Sequence, residues 1–138
     1  MLSRLQHLPL LLLLLHPPPP PVLTTLESWR QAWADRNVDA YLAHYAADFR
    51  PEPPLKSRKA WLAQSKSRLK AARRVRIEML DPQISLQGGQ AAEATQATAV
   101  FTQRYRSKQH TDVVRKTLTL QRTGDAWRIV SETQTKLP

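Results

Sequence analysis

Cysteine is absent from this chain, and glycine occurs only three times in its 138 residues. The first absence removes disulfides, thiolate metal sites and cysteine nucleophiles, and leaves the redox compartment unreadable. It also excludes a lipoprotein anchor, whose lipid is carried on cysteine. The second absence leaves too little glycine for a phosphate-cradling loop. Acid is scarce as well: 11 Asp and Glu stand against 21 Lys and Arg, a formal net charge of +10. That balance favours anionic partners, whether nucleic acid, lipid headgroups or an acidic wall polymer, without choosing among them. The four histidines, His7, His16, His44 and His110, have no mutual spacing that builds a metal site, so neither a metal nor a cofactor is expected. There is no internal repeat.

A hydrophobic run long enough to span a bilayer is missing too. The run Leu8–Leu15, interrupted by Pro9, falls well short of ~20 residues, but it matches the short core of a secretory signal peptide. Arg4 is the one firmly basic residue upstream, and no small-x-small cleavage site follows Leu15, so an uncleaved anchor stands beside an export signal. The prolines Pro17 to Pro21 favour a stiff polyproline II spacer and cannot enter a helix. Residues 1–24 are therefore read as a signal-like segment and linker, and residues 25–138 as one folded domain of common size. A periplasmic or envelope location follows, with the cytoplasm as the alternative. Membrane contact is expected only through the N-terminal segment, if it is retained.

Within the domain, helical periodicity comes first and strand periodicity afterwards. Thr24 or Thr25 is expected to cap a helix carrying Leu26, Trp29 and Trp33, and Asn37 to cap a second with Val38, Tyr41, Leu42 and Tyr45 on one face. Pro51, Pro53 and Pro54 make Phe49 to Leu55 an extended connection. Ser57 then opens a third helix with Trp61, Leu62, Ser65, Leu69 and Ala72 at helical spacing.

From Val75 the period is two. Val75, Ile77 and Met79 alternate with Arg74, Arg76 and Glu78; Asp81-Pro82 breaks that strand, Ile84 and Leu86 continue it, and Gly88-Gly89 turns the chain. Ala97, Ala99, Phe101, Gln103 and Tyr105 share one face of the next strand. After a loop at 107–111, Val114, Lys116, Leu118 and Leu120 share a face, and Thr123-Gly124-Asp125 turns into Trp127, Ile129 and Ser131. Helices then strands, each apolar on one side only, predict an α+β domain with helices covering one face of a curved antiparallel sheet.

These residues, with Trp29-x3-Trp33, Tyr41-x3-Tyr45-x3-Phe49, Trp61, Phe101-x-Gln103-x-Tyr105-x-Ser107, Lys116-x-Leu118 and Trp127-Arg-Ile-x-x-Glu132, resemble the NTF2-like (SnoaL-like) superfamily. More narrowly, they resemble the NTF2-like domain appended to some bacterial cell-shape L,D-transpeptidases and to repeat-containing envelope proteins. The resemblance spans about residues 25 to 136 and implies a cone: N-terminal helices packed on a strongly curved antiparallel sheet. It also implies an accessory module that dimerises through the convex sheet and presents a pocket, catalysis belonging to a separate domain. With no room for a transpeptidase domain and no cysteine for its nucleophile, the module is expected to stand alone. The superfamily also includes enzymes, so membership does not settle activity.

Gln103, Tyr105 and Lys116 are polar interruptions of apolar strand faces. On a concave wall they would bring an amide, a phenol and an ammonium group to one pocket, suited to an anionic or polyhydroxylated ligand. The contrary placement puts Tyr105 and Lys116 at the rim, Lys116 reaching water and Gln103 serving a bulged backbone. Tyr41 and Tyr45 are read as core aromatics with hydroxyls turned to the cavity or to solvent, a ligand contact by one of them being the alternative. Glu132 falls out of register with Trp127 and Ile129, so unless a bulge intervenes it faces the other side and pairs with an arginine. No catalytic residue is expected: Asp39, Asp48 and Asp112 sit at element ends and His44 faces solvent or a helix boundary, whereas a cone-shaped isomerase or dehydratase holds its general base in the interior.

Between Lys56 and Arg76 there are nine basic residues and no acidic one. Lys59, Lys66, Lys70, Arg73 and Arg74 form the expected anion-binding surface, with a solvated helix face as the plainer reading. Nucleic-acid recognition would add exposed aromatics or a groove-entering helix, and neither is evident. The expectation is a non-catalytic, exported NTF2-like module acting as a homodimer. Its pocket would take a small or glycan-like ligand, with an envelope protein or cell-wall glycan as partner. The alternative is a small SnoaL-type isomerase or dehydratase using the cone.

Overall fold

The computed structural model describes residues 21–89 and 93–138; the apolar segment and the linker prolines before Pro21 lie outside the described residues. The order is α1 (Val22–Ala34), α2 (Val38–Leu42), β1 (Tyr45–Arg50), α3 (Arg58–Ala71), β2 (Arg76–Gln87), β3 (Gln96–Arg106), β4 (Thr111–Thr123) and β5 (Ala126–Lys136). The five strands form one curved sheet in the order β1-β5-β4-β3-β2. Its pairings are antiparallel except at one edge, where β1 runs parallel to β5, so the expectation of a wholly antiparallel sheet is corrected there.

Three local expectations are also corrected. Helix α1 starts at Val22, not after Thr24 or Thr25: Pro21 stands at its N-cap without a side-chain cap, and Thr25 is buried inside the helix. The missing proline N–H costs nothing at a helix start, where such groups are unpaired anyway. Tyr45 does not continue the second helix. Asn37 does cap α2 by accepting from the Ala40 amide, but α2 ends at Leu42, and Tyr45–Arg50 pairs with β5 as a strand. The i, i+4 spacing of Tyr41, Tyr45 and Phe49 thus spans a helix-to-strand junction. Finally, Asp81-Pro82 bulges β2 rather than ending it, since Leu80 opposes Thr102 and Gln83 opposes Val100. Proline lacks a ladder donor and a bulge accommodates it. The extra residue also resets the phase, so Ile77 and Met79 before it, and Ile84 and Leu86 after it, share the face of Gln103 and Ala97.

Helix α1 lies over the inner face of the sheet. Leu26 and Trp29 are fully buried with Ala97, Ala99, Phe101, Leu118, Leu120 and Ile129. The alanines leave room beneath the helix for the indole of Trp29, which meets Phe101 edge-on at 6.1 Å. Ser57 caps α3 by accepting from the Ala60 amide, and α3 buries Trp61, Ser65 and Leu69 at four-residue intervals. Trp61 packs on Phe49 at 4.5 Å and on Tyr45 at 4.6 Å. Arg36, from the α1–α2 turn, donates to the Leu69 and Lys70 carbonyls and closes the far end of α3.

Candidate ligand-binding site

On the inner face, Gln103 of β3, Lys116 of β4 and Glu132 of β5 meet against the cavity. Phe101 opposes Lys116 and Gln103 opposes Val114, so strand alternation alone puts Gln103 and Lys116 on one face of neighbouring strands. Glu132 arrives there by an irregularity. Leu120 opposes Ile129 and Thr119 opposes Ser131, so Val130 is an extra residue, and beyond it the face of β5 is switched. Glu132, opposite Leu118, therefore looks inward and sits diagonally from Lys116. The expectation of an outward Glu132 paired with arginine is corrected: its Oε2 accepts from Lys116 Nζ at 2.8 Å. Lys116 is buried as well, so the reading of a lysine reaching rim water is corrected too.

A chain of donors converges on this carboxylate. Tyr45 donates its hydroxyl proton to Glu132 Oε1 at 2.7 Å, Trp29 Nε1 donates to the Tyr45 oxygen at 3.0 Å, and the Tyr41 hydroxyl lies 2.9 Å from that oxygen. Tyr45 has one proton and spends it on Glu132, so Tyr41 is the donor in the tyrosine pair. Burial, with the Glu132 charge added, raises both phenol pKa values well above the usual range and keeps them protonated. Lys116 Nζ also lies 5.0 Å from the Trp33 ring centre and 5.5 Å from that of Trp29, so the cation rests among indole faces. At this site the buried Gln103 Oε1 has no hydrogen-bond partner among the described residues.

These groups face a cavity of about 860 Å³. Trp33, Tyr41, Gln103, Tyr105, Lys116 and Glu132 line its sheet and helix side; Trp61, Gln64, Ser65 and Arg68 of α3 form the facing wall. Pro53, Pro54 and Leu55 edge it, as does the β3–β4 loop with Gln109 and His110. Trp33 and Tyr105 pack at 5.5 Å, making an aromatic side to the mouth. There His110 Nε2 meets Asp112 Oδ2 at 2.9 Å. Of the five residues proposed from sequence for the pocket, Tyr41, Gln103, Tyr105 and Lys116 line the cavity. Tyr45 is not among the lining residues; it stands behind Glu132 and donates to it. Among the lining residues outside that set, Glu132 is the one that pairs with Lys116, and it was missed because the bulge at Val130 has no composition signal: no glycine or proline marks it.

The other candidates lie outside this interior. Asp39 and Asp48 are exposed in α2 and β1. His44 is half-buried at the helix junction, where Nδ1 donates to the Ala40 carbonyl at 2.7 Å and Nε2 faces Ser28 Oγ at 3.0 Å. Burial lowers its pKa. Among the described residues no group of His, Asp and Glu side chains is arranged to hold a metal ion, and no helix is long and apolar enough to cross a membrane. Lys59, Lys66 and Lys70 are exposed on α3. Arg73 and Arg74 follow the helix, and Arg73 turns back to donate to the Lys70 and Ala72 carbonyls.

Helices roofing a bent sheet, with β1 docked parallel at its edge, make a fold shared with known proteins. Residues 21–133 match the family model of the Cds6 C-terminal NTF2-like domain. The chain belongs to that family. This NTF2-like domain superposes on Bd1075 of Bdellovibrio bacteriovorus with a TM-score of 0.74 at 25% identity, covering 85% of this chain and 40% of that one. It superposes on Pgp2 of Campylobacter jejuni, a helical cell shape determining protein, with a TM-score of 0.71 at 20% identity, covering 81% of this chain and 39% of Pgp2. The chain thus spans about 40% of the length of these two proteins. A candidate dehydratase of the NTF2-like family from Streptomyces avermitilis shares the fold along its length, with a TM-score of 0.71 at 16% identity and coverage of 85% and 94%. No curated protein matches the chain.

Proposed function

We propose that this NTF2-like domain is a non-catalytic binding module whose cavity takes a small, glycan-like ligand. One observation carries the reading: the Lys116–Glu132 ion pair stands beside a Gln103 amide with an unpartnered oxygen on the floor of an aromatic-walled cavity. The two charges offset each other, so the floor offers donors and acceptors without a large net charge. Such a floor suits hydroxyl and amide groups, and the ring faces of Trp33, Tyr105 and Trp61 suit the C–H faces of a sugar. Glu132 has both oxygens engaged, one by Lys116 and one by Tyr45, and so acts as the partner of a cation rather than a free general base.

The module is further proposed to work in the bacterial envelope as a homodimer. The convex face bears half-buried Thr98, Val100, Thr102, Thr117 and Thr119 beside exposed Arg104 and Arg115, a surface that a second copy can cover. The test of the pocket is a titration of the isotope-labelled chain with an N-acetylated wall disaccharide. Resonance shifts at Gln103, Tyr105 and Trp33 support the reading; an unperturbed cavity at millimolar ligand overturns it. Turnover of a hydroxy-ketone or enone substrate, lost in Glu132→Gln, would instead favour the isomerase or dehydratase reading.

A further inference from the structure

Helix α3 presents two opposite faces with different chemistry. Trp61, Gln64, Ser65, Arg68 and Leu69 face the cavity. At about 100° per residue, Lys59, Lys66 and Lys70 fall about 140–180° away from Trp61, on the far side of the same helix. Along the axis they span about 16 Å at 1.5 Å per residue. Between and beside them lie Ala60, Ala63 and Ser67, all exposed and all small, so nothing stands higher than the lysines. None of the three ammonium groups has an acidic partner among the described residues. Arg73 and Arg36 add charge at the C-terminal end while closing the helix, where cations are favoured by its dipole.

A solvated face that served solubility alone would mix signs, as surfaces ordinarily do. Here the run from Lys56 to Arg76, with its exposed side included, has no acidic residue. We infer that the Lys59–Lys66–Lys70 ridge docks the domain on an anionic phospholipid surface, lying flat with the cavity turned away. The face lacks any large apolar side chain, so it supplies electrostatic attraction without insertion, and such attraction holds a protein to a bilayer only together with a second signal. The Leu8–Leu15 run of the same chain has the composition of that second signal. This inference is separate from the pocket reading, because the ridge and the cavity occupy opposite faces of α3.

The test uses the full chain with vesicles of zwitterionic lipid, alone or with about a third anionic phospholipid, in co-sedimentation at low and physiological salt. Each lysine near an anionic surface strengthens binding about fivefold. The triple variant Lys59→Gln, Lys66→Gln, Lys70→Gln is therefore expected to lose about 100-fold of the preference for anionic over zwitterionic vesicles, with its thermal unfolding unchanged. An anionic preference retained in the triple variant overturns the inference. So does a wild-type chain that ignores anionic vesicles while binding a soluble linear polyanion, which would assign the ridge to a polymer.

Discussion

Replacing Lys116 with Met keeps the length and apolar stem of the side chain but deletes the charge that Glu132 faces. The carboxylate then keeps only the Tyr45 hydroxyl as a direct partner. Removing one member of a fully buried pair costs about 3–5 kcal/mol, because a charge is left uncompensated. Lys116 is 2% exposed, but the Glu132 side chain is 19% exposed, so water at the cavity floor recovers part of that cost. The expected destabilisation is about 2–3 kcal/mol, and Glu132→Gln, which strands the cation instead, should cost a similar amount. The double variant removes both charges and keeps an acceptor for Tyr45, so it should recover to within about 1–2 kcal/mol of wild type. Urea unfolding of the four proteins measures this through the midpoint, with an unchanged slope showing that the denatured state is the same. Singles that add in the double variant would refute the coupling, and with it the account of how the cavity floor is held.

Further outcomes follow from the same geometry. Deleting Val130 should remove the extra residue while keeping Ser131 opposite Thr119 and Glu132 opposite Leu118, so the Lys116–Glu132 pair and the ligand shifts should survive; their loss in a folded chain would contradict the reading of Val130 as the one extra residue. His44 has a lowered folded pKa, so the unfolded chain binds the extra proton first. Stability should fall as pH drops from about 6.5 toward the folded value, and His44→Gln should flatten that slope in acid-unfolding curves. Tyr41 and Tyr45 have raised folded pKa values, so stability is full below about pH 10 and lost as pH rises further. Their phenolate absorbance should appear with unfolding, and its appearance in a folded chain would contradict the donor chain to Glu132. Sedimentation equilibrium of the full chain should give twice the monomer mass, and a monomer at high concentration would remove the dimer.

The strands were the readable part of this chain. Two-residue alternation from Ala97 to Tyr105 and from Val114 to Leu120 reports directly which side chains face the interior, because a strand buried on one face leaves no freedom of phase. That is why Gln103 and Lys116 were legible as neighbours before any coordinates. Glu132 was not, since a single extra residue at Val130 inverts the phase after it, and valine is as ordinary in a strand as in a bulge. Tyr45 was misplaced for a related reason: spacing of four suits a helix, but it recurs by chance where a short helix hands over to a strand. Thr24 and Thr25 are good caps by type, yet the chain starts its helix at Val22, where the side chain buries against the core. The charge of α3 was visible in composition, whereas the use of Arg73 as a helix closure depends on a backbone that only the fold defines.

The account rests on the Gln103 amide and the Lys116–Glu132 pair forming one recognition floor, and the side-chain amide resonance of Gln103 reports on it most directly. Titrating the labelled chain with an N-acetylated wall disaccharide should shift that resonance in wild type, and should leave it in place in the folded Lys116→Met/Glu132→Gln variant. A Gln103 resonance that stays unmoved in wild type, or that moves equally in the charge-free variant, would contradict the claim.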